Sequence, residues 1–449
     1  MNKALILAGG LGKRMNSPKP KVLHEVLGKP LINWVIDAAK LAGADEIGVV
    51  VGHSAEDIYP FLKDVKIFVQ KEQLGTADAV KSALSFLDGR ILILYGDMPL
   101  IPASTLRKLF DSDADLTILT ASLSNPFGYG RVLRKGGKIE KIVEEADATD
   151  EIRSIKEVNS GVYAFNSKAL LYALERIKND NKKGEYYLTD SIEILTKSDF
   201  KVETIETPDP GTVVGVNTQR ELSILIRRAR ETINFALMDS GVTIEDPDTT
   251  FIGPDAKIEP GVIVKPFTFI YGKTEILSGS TIGPYTTILD CKIGSKSAVI
   301  SSDCNGAVVG ENCSIGPFSR LRPGTIIENN VKVGNYVEVK NSHLFSNVKA
   351  QHLTYLGDAT IGENTNIGAG TITCNYDGVK KNQTFIGKNA FIGSNTALVA
   401  PVNIGDNAFV GAGSTITEDV PPNALALGRS RQVNKEDWVL KKRRESDEK

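Results

Sequence analysis

Residues 386–416 read IGKNAFIGSNTALVAPVNIGDNAFVGAGSTI, with an aliphatic residue at every sixth position. The same spacing recurs between Phe251 and Thr417, at Ile252, Ile258, Val264, Ile270, Ile276, Ile282 and Ile288, at Val309, Ile315, Leu321, Ile327, Val333 and Val339, and at Ile386, Ile392, Leu398, Ile404, Val410 and Ile416. A period of six fits neither a helix nor an alternating antiparallel strand. It predicts a parallel β-helix, in which three short strand-and-turn repeats close one coil and the aliphatic side chains stack in a shared core.

The count in sixes is interrupted in two later stretches. KNSHLFSNVKAQHLTYLGDAT covers residues 340–360, and GAGTITCNYDGVKKNQTF covers residues 368–385. Surface loops on a repeat scaffold are one interpretation. Stacked coils, however, have no structural need for His352, Tyr355, Asn375 and Tyr376 at breaks in register, and loops on repeat arrays often carry the functional site.

Composition narrows the functional classes. At 449 residues the chain is expected to hold two or three domains, and its net charge of −2 disfavours nucleic-acid binding. The apolar start is too short for a signal peptide, and no apolar run reaches the length of a membrane span, so we expect a cytoplasmic protein without membrane partners. Cys291, Cys304, Cys313 and Cys374 lack CxxC spacing, which indicates reduced thiols.

The first half of the chain alternates short apolar runs, at residues 4–7, 47–51, 67–69 and 91–94, with helical patterns such as LINWVIDAAKLAG and TADAVKSALSFL. This alternation predicts a Rossmann-like, mostly parallel sheet with helices on both faces. Ligands bind such sheets at the carboxyl ends of strands. The ends of two strands here therefore become candidate binding positions.

The first of these strand ends is LAGGLGKRM, residues 7–15. Its glycines allow backbone N–H groups to approach an anion, and Lys13, Arg14 and the later Lys21 supply positive charge. A tight glycine turn is an equally open interpretation of this stretch alone, because the spacing matches neither GxGxxG nor a P-loop. The second strand end, ILILYGDMPL, carries Asp97, which suits Mg²⁺ beside a phosphate but is also common as a turn or capping residue.

The motifs LAGGLGKRM, PKVLH, QLGTADA, YGDMPL, GYGR, EVNSG and GVNT run in the order and spacing of bacterial N-acetylglucosamine-1-phosphate uridyltransferases. From Ala4 to about Arg429 the chain resembles the bifunctional members of that family, most specifically in QHLTYLGDATIGENTNIGAGTITCNYDG. The resemblance implies an α/β nucleotidyltransferase domain followed by a left-handed parallel β-helix of hexapeptide repeats. It also implies acetyl transfer from acetyl-CoA to glucosamine-1-phosphate, then uridylyl transfer from UTP with release of pyrophosphate, which supplies UDP-N-acetylglucosamine for peptidoglycan and lipopolysaccharide.

Carried over residue by residue, the resemblance assigns roles in the first domain. The implied nucleotide-binding residues are Leu7, Gly9, Gly10, Arg14, Lys21, Gln70, Gly75 and Thr76, with the uracil at the last three. Mg²⁺ is implied at Asp97 and Asn217. The N-acetylated sugar is implied at Gly130, Glu144 and Asn159. The family more often has alanine and threonine where this chain has Gly9 and Lys13.

In the second domain the resemblance makes His352 the base that takes a proton from the attacking amine, assisted by Asn375, and imidazole suits that role near neutral pH. The implied glucosamine-1-phosphate residues are Arg322, Lys340, Tyr355 and Asn366. The implied acetyl-CoA residues are Ala369, Asn375, Tyr376, Ser394, Ala412 and Arg429. Among these, Tyr376 and Ser394 would steady the thioester carbonyl. The other histidines, His24, His53 and His343, are interpreted as packed or surface residues.

We expect domains at residues 1–217 and 244–449, joined by a linker helix at 218–243 with an apolar face. The resemblance implies a homotrimer with acetyltransferase sites between chains. Two alternatives stay open: a nucleotidyltransferase whose β-helix is only an oligomerising or regulatory scaffold, and a non-catalytic solenoid with a nucleotide-sensing domain. The stretch from His352 to Tyr376 argues against the first alternative, and the Mg²⁺ and phosphate residues argue against the second.

Overall fold

The computed structural model describes residues 1–10, 12–52 and 55–447. The chain divides into two compact units, Met1–Ala229 and Arg230–Lys449. The division falls within a helix, Gln219–Asp239, that runs through the predicted linker, with Leu222, Leu225 and Ala229 buried as the apolar pattern predicted. Among the described residues, no helix combines the length and the apolar character needed to cross a membrane.

The first unit is built around one mixed sheet. Its strands are β1 (Asn2–Leu7), β4 (Glu46–Gly52), β5 (Lys66–Gln70), β6 (Arg90–Tyr95), β7 (Leu116–Ser122), β8 (Arg131–Lys135), β9 (Lys138–Val143), β10 (Glu157–Asn166) and β11 (Val202–Glu206), while β2 (Glu25–Val26) and β3 (Lys29–Pro30) form a separate two-stranded sheet. The helices are α1 (Leu31–Ala42), α2 (Thr76–Lys81), α3 (Ala103–Phe110), α4 (Asp150–Arg153), α5 (Ser167–Leu174), α6 (Asp190–Thr196) and α7 (Gln219–Asp239). Across the sheet the order is β11-β7-β10-β6-β1-β4-β5, while β8 pairs with β9 and β10.

The strands that precede the predicted phosphate and metal residues are parallel. β1 lies between β4 and β6 and runs parallel to both, whereas β10 is antiparallel to β6 and β7. Along β1, Ala4 and Ile6 pack into one apolar cluster and Leu5 and Leu7 into another. Because side chains alternate across a strand, both faces of the sheet are buried, and the predicted mostly parallel α/β architecture is confirmed.

The second unit is a parallel β-helix with three faces. The first face comprises Thr243–Ile244, Ile263–Val264, Thr281–Ile282, Ala298–Val299, Ser314–Ile315, Lys332–Asn335, Lys349–His352, Asn366–Ile367, Phe391–Ile392, Phe409–Val410 and Leu425–Ala426. The second comprises Thr250–Ile252, Thr268–Tyr271, Thr286–Leu289, Asp303–Asn305, Arg320–Leu321, Glu338–Lys340, Tyr355–Gly357, Ile372–Cys374, Ala397–Val399 and Thr415–Ile416. The third comprises Lys257–Ile258, Glu275–Ile276, Lys292–Ile293, Val308–Val309, Ile326–Ile327, His343–Leu344, Ala359–Ile361, Thr384–Ile386 and Val402–Ile404. A helix, α8 (Trp438–Asp447), follows.

The aliphatic residues counted in sixes form the core of this β-helix. Every one of them is buried, and Ile258, the most exposed, has 8% of its surface accessible. Between Ile288 and Val309 the core continues through Ile293, Val299 and Cys304, at spacings of five and six residues. The predicted β-helix is therefore confirmed, and five-residue repeats hide part of it from a count in sixes.

The prediction that residues 340–360 interrupt the coil is wrong. Leu344, Ala350 and Leu356 are fully buried in the same core, because five-residue steps merely shift the count. The second interruption does leave the coil, between the strands Ile372–Cys374 and Thr384–Ile386. We call residues 375–383 the excursion. Asp377 pins it by accepting hydrogen bonds from the N–H groups of Val379 and Lys380 and from the amide of Asn382.

Candidate active sites

A cavity of about 370 Å³ lies at the carboxyl ends of β1, β5 and β6. Its lining contains the predicted residues Leu7, Gly9, Gly10, Lys21, Gln70, Gly75, Thr76 and Asp97. It also contains Ala8, Val22, Gln73, Ala79, Tyr95 and Glu185, to which the sequence analysis gave no role. Residues distant in the chain thus converge where a parallel sheet is expected to bind its ligand.

A charged cluster joins the glycine loop to the two predicted metal ligands. The Lys21 ammonium forms a short ion pair with Asp97 Oδ2 and donates to Asn217 Oδ1 at 3.2 Å. Arg14 Nη2 donates to the same Asn217 oxygen at 2.9 Å. The side chains of Lys21 and Asp97 are only 14% and 15% exposed. The cluster is therefore partly shielded from water, which strengthens its electrostatic interactions.

The Gln70 amide is oriented by its neighbours. Its Nε2 donates to the Gly75 carbonyl at 3.1 Å and to Asp78 Oδ2 at 2.9 Å. Both acceptors require the NH₂ group, so the amide oxygen is left free to accept. Gly75 has a φ of +119°, and a Cβ there would lie 2.5 Å from the Tyr186 carbonyl oxygen. Glycine is thus required for this close approach.

Tyr95 connects the cavity with the predicted sugar residues. Its ring packs against Gly161, which has a φ of +86° and where a Cβ would lie 2.5 Å from the ring. Its hydroxyl hydrogen bonds with Thr76. Burial, followed by the charges of Glu144 and Asp97, raises the pKa of Tyr95 above its ordinary value. The hydroxyl therefore stays protonated and able to donate.

Gly130, Glu144 and Asn159, the predicted sugar residues, are close together. The Gly130 carbonyl accepts from the Asn159 N–H at 2.9 Å, and a Cβ on Gly130 would lie 3.4 Å from Glu144 Oε1. Glu144 Oε1 also accepts from the Thr189 hydroxyl at 3.1 Å. Burial raises the pKa of the Glu144 carboxyl. This group forms a polar recess beside Tyr95.

Part of the phosphate loop lies outside the described residues. Leu11 and the side chain of Lys13 lie outside the described part of the structure, and with them the predicted positive charge of Lys13. His53 also falls outside the described residues. For Gly9, a Cβ would lie 3.3 Å from Gln70 Oε1 and 3.4 Å from the Gly52 nitrogen. Glycine at this position therefore gives Gln70 slightly more room than alanine would.

On the β-helix, several predicted acetyltransferase residues follow one edge, between the first and second faces. The Gly370 N–H donates to the carbonyl oxygens of His352 and Leu353, at 3.4 and 3.1 Å. Further along, the Asn395 N–H donates to Ala369, and the Gly413 N–H donates to Ser394. We call this succession the edge row; its predicted members are His352, Ala369, Ser394, Ala412 and Arg429. A Cβ on Gly413 would lie 3.8 Å from Arg429 Cδ, so the row continues to that residue.

The His352 side chain is exposed at the start of the edge row, and its Nδ1 lies 3.0 Å from Asn335 Oδ1. Because an amide oxygen can only accept, this contact favours the tautomer with its proton on Nδ1, in which Nε2 is the acceptor. The two residues face each other across paired strands, which fixes their separation. Phe318 and Tyr336 stack with their centroids 5.4 Å apart and line the same shallow depression of about 380 Å³.

A cationic cluster lies on the second face. Arg322 forms an ion pair with Glu338 at 2.9 Å, and Glu338 pairs in register with Tyr355. The neighbouring Lys381 ammonium lowers the pKa of Lys340, and Arg322 adds to this effect. Three positive groups thus approach one another. Such a cluster favours an anion with several oxygens, such as a phosphate.

Two predictions about the acetyltransferase residues need qualification. Asn375 is buried and its amide donates to Asp358 Oδ2, whose other oxygen accepts from Asn341, so its polar contact is with Asp358 rather than with His352. Asn366 lies in a strand of the first face, whereas Lys340 and Tyr355 lie in strands of the second face and Arg322 directly follows the strand Arg320–Leu321 of that face. Within one chain the predicted sugar residues are therefore split between two faces.

Several residues escaped the sequence analysis. Lys381 lies in the excursion and comes close to Lys340 only because that segment leaves the coil. Gln73 donates to the Gly9 carbonyl, and Thr189 and Glu185 belong to the segment EYYLTD, residues 185–190. The cluster of hydroxyl and carboxyl groups in that segment was the sequence signal available for the last two.

The fold and these sites define a nucleotidyltransferase domain followed by a hexapeptide-repeat acyltransferase domain. Residues 4–190 match the MobA-like NTP transferase domain, residues 383–418 match the hexapeptide repeat of succinyl-transferase, and residues 300–398 match the GMPPB C-terminal domain. Over 448 residues the chain is 56% identical to the Bifunctional protein GlmU of Thermosipho africanus, covering 98% of each chain. It is 52% identical to that of Fervidobacterium nodosum, covering 99% of this chain and 98% of the relative.

The chain belongs to the family of bifunctional GlmU proteins. It is therefore a bifunctional transferase with nucleotidyltransferase and acyltransferase activities, as the motifs predicted. Nucleotide and acetyl-CoA are its substrates. The interpretation of the β-helix as a mere scaffold is excluded at the level of the family.

Proposed function

We propose that the second unit acetylates glucosamine-1-phosphate with acetyl-CoA and that the first unit then couples the product to UTP, through the residues described above. The observation that carries this proposal is that each unit gathers one set of predicted residues. In the first unit eight of them line a single cavity, and in the second they lie along the edge row, on the two faces beside it and at the start of the excursion.

Uracil recognition is proposed at Gln70, Gly75 and Thr76. The free Gln70 oxygen suits the N3–H donor of uracil, whereas cytosine presents an acceptor there. A buried polar site discriminates strongly against a base that leaves its groups unpaired. Support for this comes from the 5% exposure of Gln70 and from the two acceptors that fix its NH₂ group.

The phosphates of UTP are proposed to lie over the glycine loop, with Arg14 and Lys21 as their positive partners. The sugar-1-phosphate oxygen attacks the α-phosphorus in line, a new P–O bond forms, and the bond to pyrophosphate breaks. Arg14 and Lys21 stabilise the charge that builds on the phosphoryl oxygens. No protein nucleophile is needed. Gly130, Glu144 and Asn159, with Thr189, would hold the N-acetylated sugar beside Tyr95.

Asp97 and Asn217 fit a magnesium site. A carboxylate and an amide oxygen are the hard donors that this ion prefers, and Mg²⁺ is commonly held by one or two such groups plus substrate phosphates. In the described part of the chain there is no cluster of three metal-ligating side chains, which agrees with a site completed by the substrate. When bound, the ion would neutralise phosphate charge.

In the second unit, His352 Nε2 is proposed to take the proton from the amine of glucosamine-1-phosphate as the amine attacks the thioester carbonyl. Asn335 orients the ring by accepting from Nδ1. Arg322, Lys340 and Lys381 would bind the sugar phosphate, with Tyr355 and Asn366 on the sugar. The edge row would bind acetyl-CoA, and Tyr376 and Ser394 would donate to the thioester oxygen.

A homotrimer is proposed on two grounds. Asn366 and the cationic cluster lie on different faces, and a second copy packed along the edge between those faces would complete a site that draws on both. In addition, the residues from 427 to 447 are all exposed, although they include Leu427, Val433 and Trp438. An arm whose apolar side chains are exposed suits packing against a neighbouring copy. A monomeric mass in light scattering would contradict this.

The test of the two activities is a sequential assay on the purified protein. Glucosamine-1-phosphate and acetyl-CoA are added first, and the free CoA thiol is followed. UTP and Mg²⁺ are then added, and pyrophosphate is followed. Thiol release and then pyrophosphate is the expected result. Pyrophosphate that appears only with preacetylated sugar would contradict the role given to His352 and the edge row.

A further inference from the structure

The Lys21 ammonium lies where a metal ion would have to bind. It pairs with Asp97 Oδ2 and donates to Asn217 Oδ1, the two proposed metal ligands. Arg14 donates to that same Asn217 oxygen. An amide oxygen has two lone pairs, so both are engaged by cationic donors. The Lys21 ammonium therefore lies between the two proposed ligands, bound to Asp97 Oδ2 and to Asn217 Oδ1.

The rest of the cluster is held rigidly. The N–H groups of Asn217 and Thr218 both donate to Glu221 Oε2, at 2.6 and 3.1 Å, and the Thr218 hydroxyl accepts from the Glu221 N–H. This reciprocal cap fixes Asn217 at the start of α7. The Asp97 carbonyl accepts from the Val216 N–H. Lys21 differs, because rotation about its own side-chain bonds moves the ammonium while the backbone stays in place.

The charges of this cluster also oppose binding of a divalent cation while Lys21 is in place. Arg14 and Lys21 contribute two positive charges beside the carboxylate of Asp97, and the Glu221 carboxylate, which accepts from the N–H groups of Asn217 and Thr218, adds a second negative charge. A divalent cation entering this cluster is repelled unless Lys21 leaves. Nucleotide phosphates at the adjacent glycine loop offer Lys21 a stronger partner and supply oxygen ligands to the ion.

We propose that Lys21 acts as a resident counterion that occupies the metal position in the nucleotide-free protein, so that a divalent cation binds there only when nucleotide phosphates draw Lys21 away. This rests on the proposed function, since it takes Asp97 and Asn217 as the metal ligands. Lys21 is thereby a positioning residue that couples metal binding to nucleotide binding. Metal and nucleotide bind with positive cooperativity as a consequence.

The test measures Mn²⁺ binding to the full chain by electron paramagnetic resonance, which detects the free ion. Without nucleotide, Lys21→Met is expected to bind Mn²⁺ at least about tenfold more tightly than the unaltered protein, because a positive charge is removed from the site. Lys21→Gln should show the same gain and guards against a folding defect in the first variant. Adding Asp97→Asn to Lys21→Met should abolish the gain.

Lys19→Met is the matched control. It removes the same charge two residues away, where Lys19 pairs with Glu25 at the surface. An equal gain in Lys19→Met, or no gain in either Lys21 variant, would overturn the counterion role. With UTP present, the unaltered protein should bind Mn²⁺ in a manner that depends on Asp97. Loss of that dependence would instead overturn the metal assignment itself, and so separates the two failures.

Discussion

The two units build their sites in different ways. In the first, Leu7, Gln70, Asp97 and Asn217 come from distant parts of the chain and meet at one sheet edge, in a cavity within a single chain. In the second, the edge row takes its residues from successive coils of a regular repeat, and the site is a shallow, open surface. A converging fold can enclose its substrate in a cavity, whereas a stacked repeat presents its residues in a line along an open surface.

The largest effect is expected in the enclosed site. Asp97→Ala removes a proposed metal ligand and the ion-pair partner of Lys21, so the rate of UDP-sugar formation should fall at least about 1000-fold. Acetyl transfer, measured as thiol release, should stay within about twofold of the unaltered rate because that site lies in the other unit. Retained UDP-sugar synthesis would contradict the metal assignment.

The reciprocal change tests the open site. His352→Ala removes the proposed general base and should slow acetyl transfer by about 100- to 10,000-fold. Pyrophosphate release from UTP and N-acetylglucosamine-1-phosphate should continue unchanged. His343→Ala is the matched control, since His343 lies one face away and pairs with Glu328 at 2.9 Å. Equal acetylation by the His352 and His343 variants would remove His352 from the mechanism.

The core of the stacked repeat can be tested by truncation. Ile282 is fully buried, so Ile282→Ala should lower the free energy of unfolding of the second unit by about 3 kcal/mol through lost burial and a cavity. Ile263 is 37% exposed in a neighbouring strand of the same face, and Ile263→Ala should cost less than about 1 kcal/mol. The measurement is the urea concentration at which acetyl transfer is lost. Equal costs would contradict the inward register.

A smaller effect is expected from substitution of Lys381, which lies in the excursion. Lys381→Met should raise the KM for glucosamine-1-phosphate about tenfold, through loss of one charge-assisted contact to phosphate. The KM for acetyl-CoA should not change. Lys388→Met, at an exposed lysine outside the excursion, is the control. A change in kcat alone would show that Lys381 does not bind the sugar phosphate.

The smallest expected effect is a pH-dependent change in the stability of the first unit. Burial, and then the Glu144 carboxylate, raise the pKa of Asp190 to about 6. A carboxyl whose pKa is raised on folding stabilises the protein at low pH, and this contribution is lost as pH rises from about 4 through 6. Asp190→Asn should therefore be more stable than the unaltered protein at pH 7. Because Asp190 is partly exposed, solvent screening limits the gain to about 1 kcal/mol.

Below pH 4 the advantage of the Asp190 variant should disappear. Thermal unfolding followed at several pH values measures this, with Asp57→Asn at an exposed position as the control. A gain that is equal at pH 4 and pH 7 would show that titration of Asp190 is not its cause.

The sequence predicted the core of the β-helix closely, because a repeat places each core residue by its distance from the last one. The same count went wrong at residues 340–360, where five-residue steps looked like a loop. In physical terms, a corner that closes with one residue fewer still stacks, so Leu344 and Leu356 stay in the column. Local spacing therefore predicts which side chains are buried better than it predicts where the chain leaves the coil.

The sites were predicted as sets of residues but not as contacts. That Lys21 bridges Asp97 and Asn217 depends on how three separate segments fold together, and no local pattern contains it. The approach of Lys381 to Lys340 likewise depends on the path of the excursion. Asn375 was given a role beside His352, yet burial places its amide against Asp358, an acceptor that the motif alone did not reveal.

The stacking of coils determines where the β-helix can open locally. Each coil is hydrogen-bonded only to the coils on either side, and the last rung, Leu425–Ala426, has a partner on one side only, Phe409–Val410. Local opening can start at this end without disturbing the middle, so amide hydrogen exchange should be fastest there and slow progressively toward the centre. Ala412 and Arg429 lie in these terminal coils. Acetyl-CoA bound along the edge row would therefore hold these terminal coils together. It should slow amide hydrogen exchange most in the rungs that open most readily.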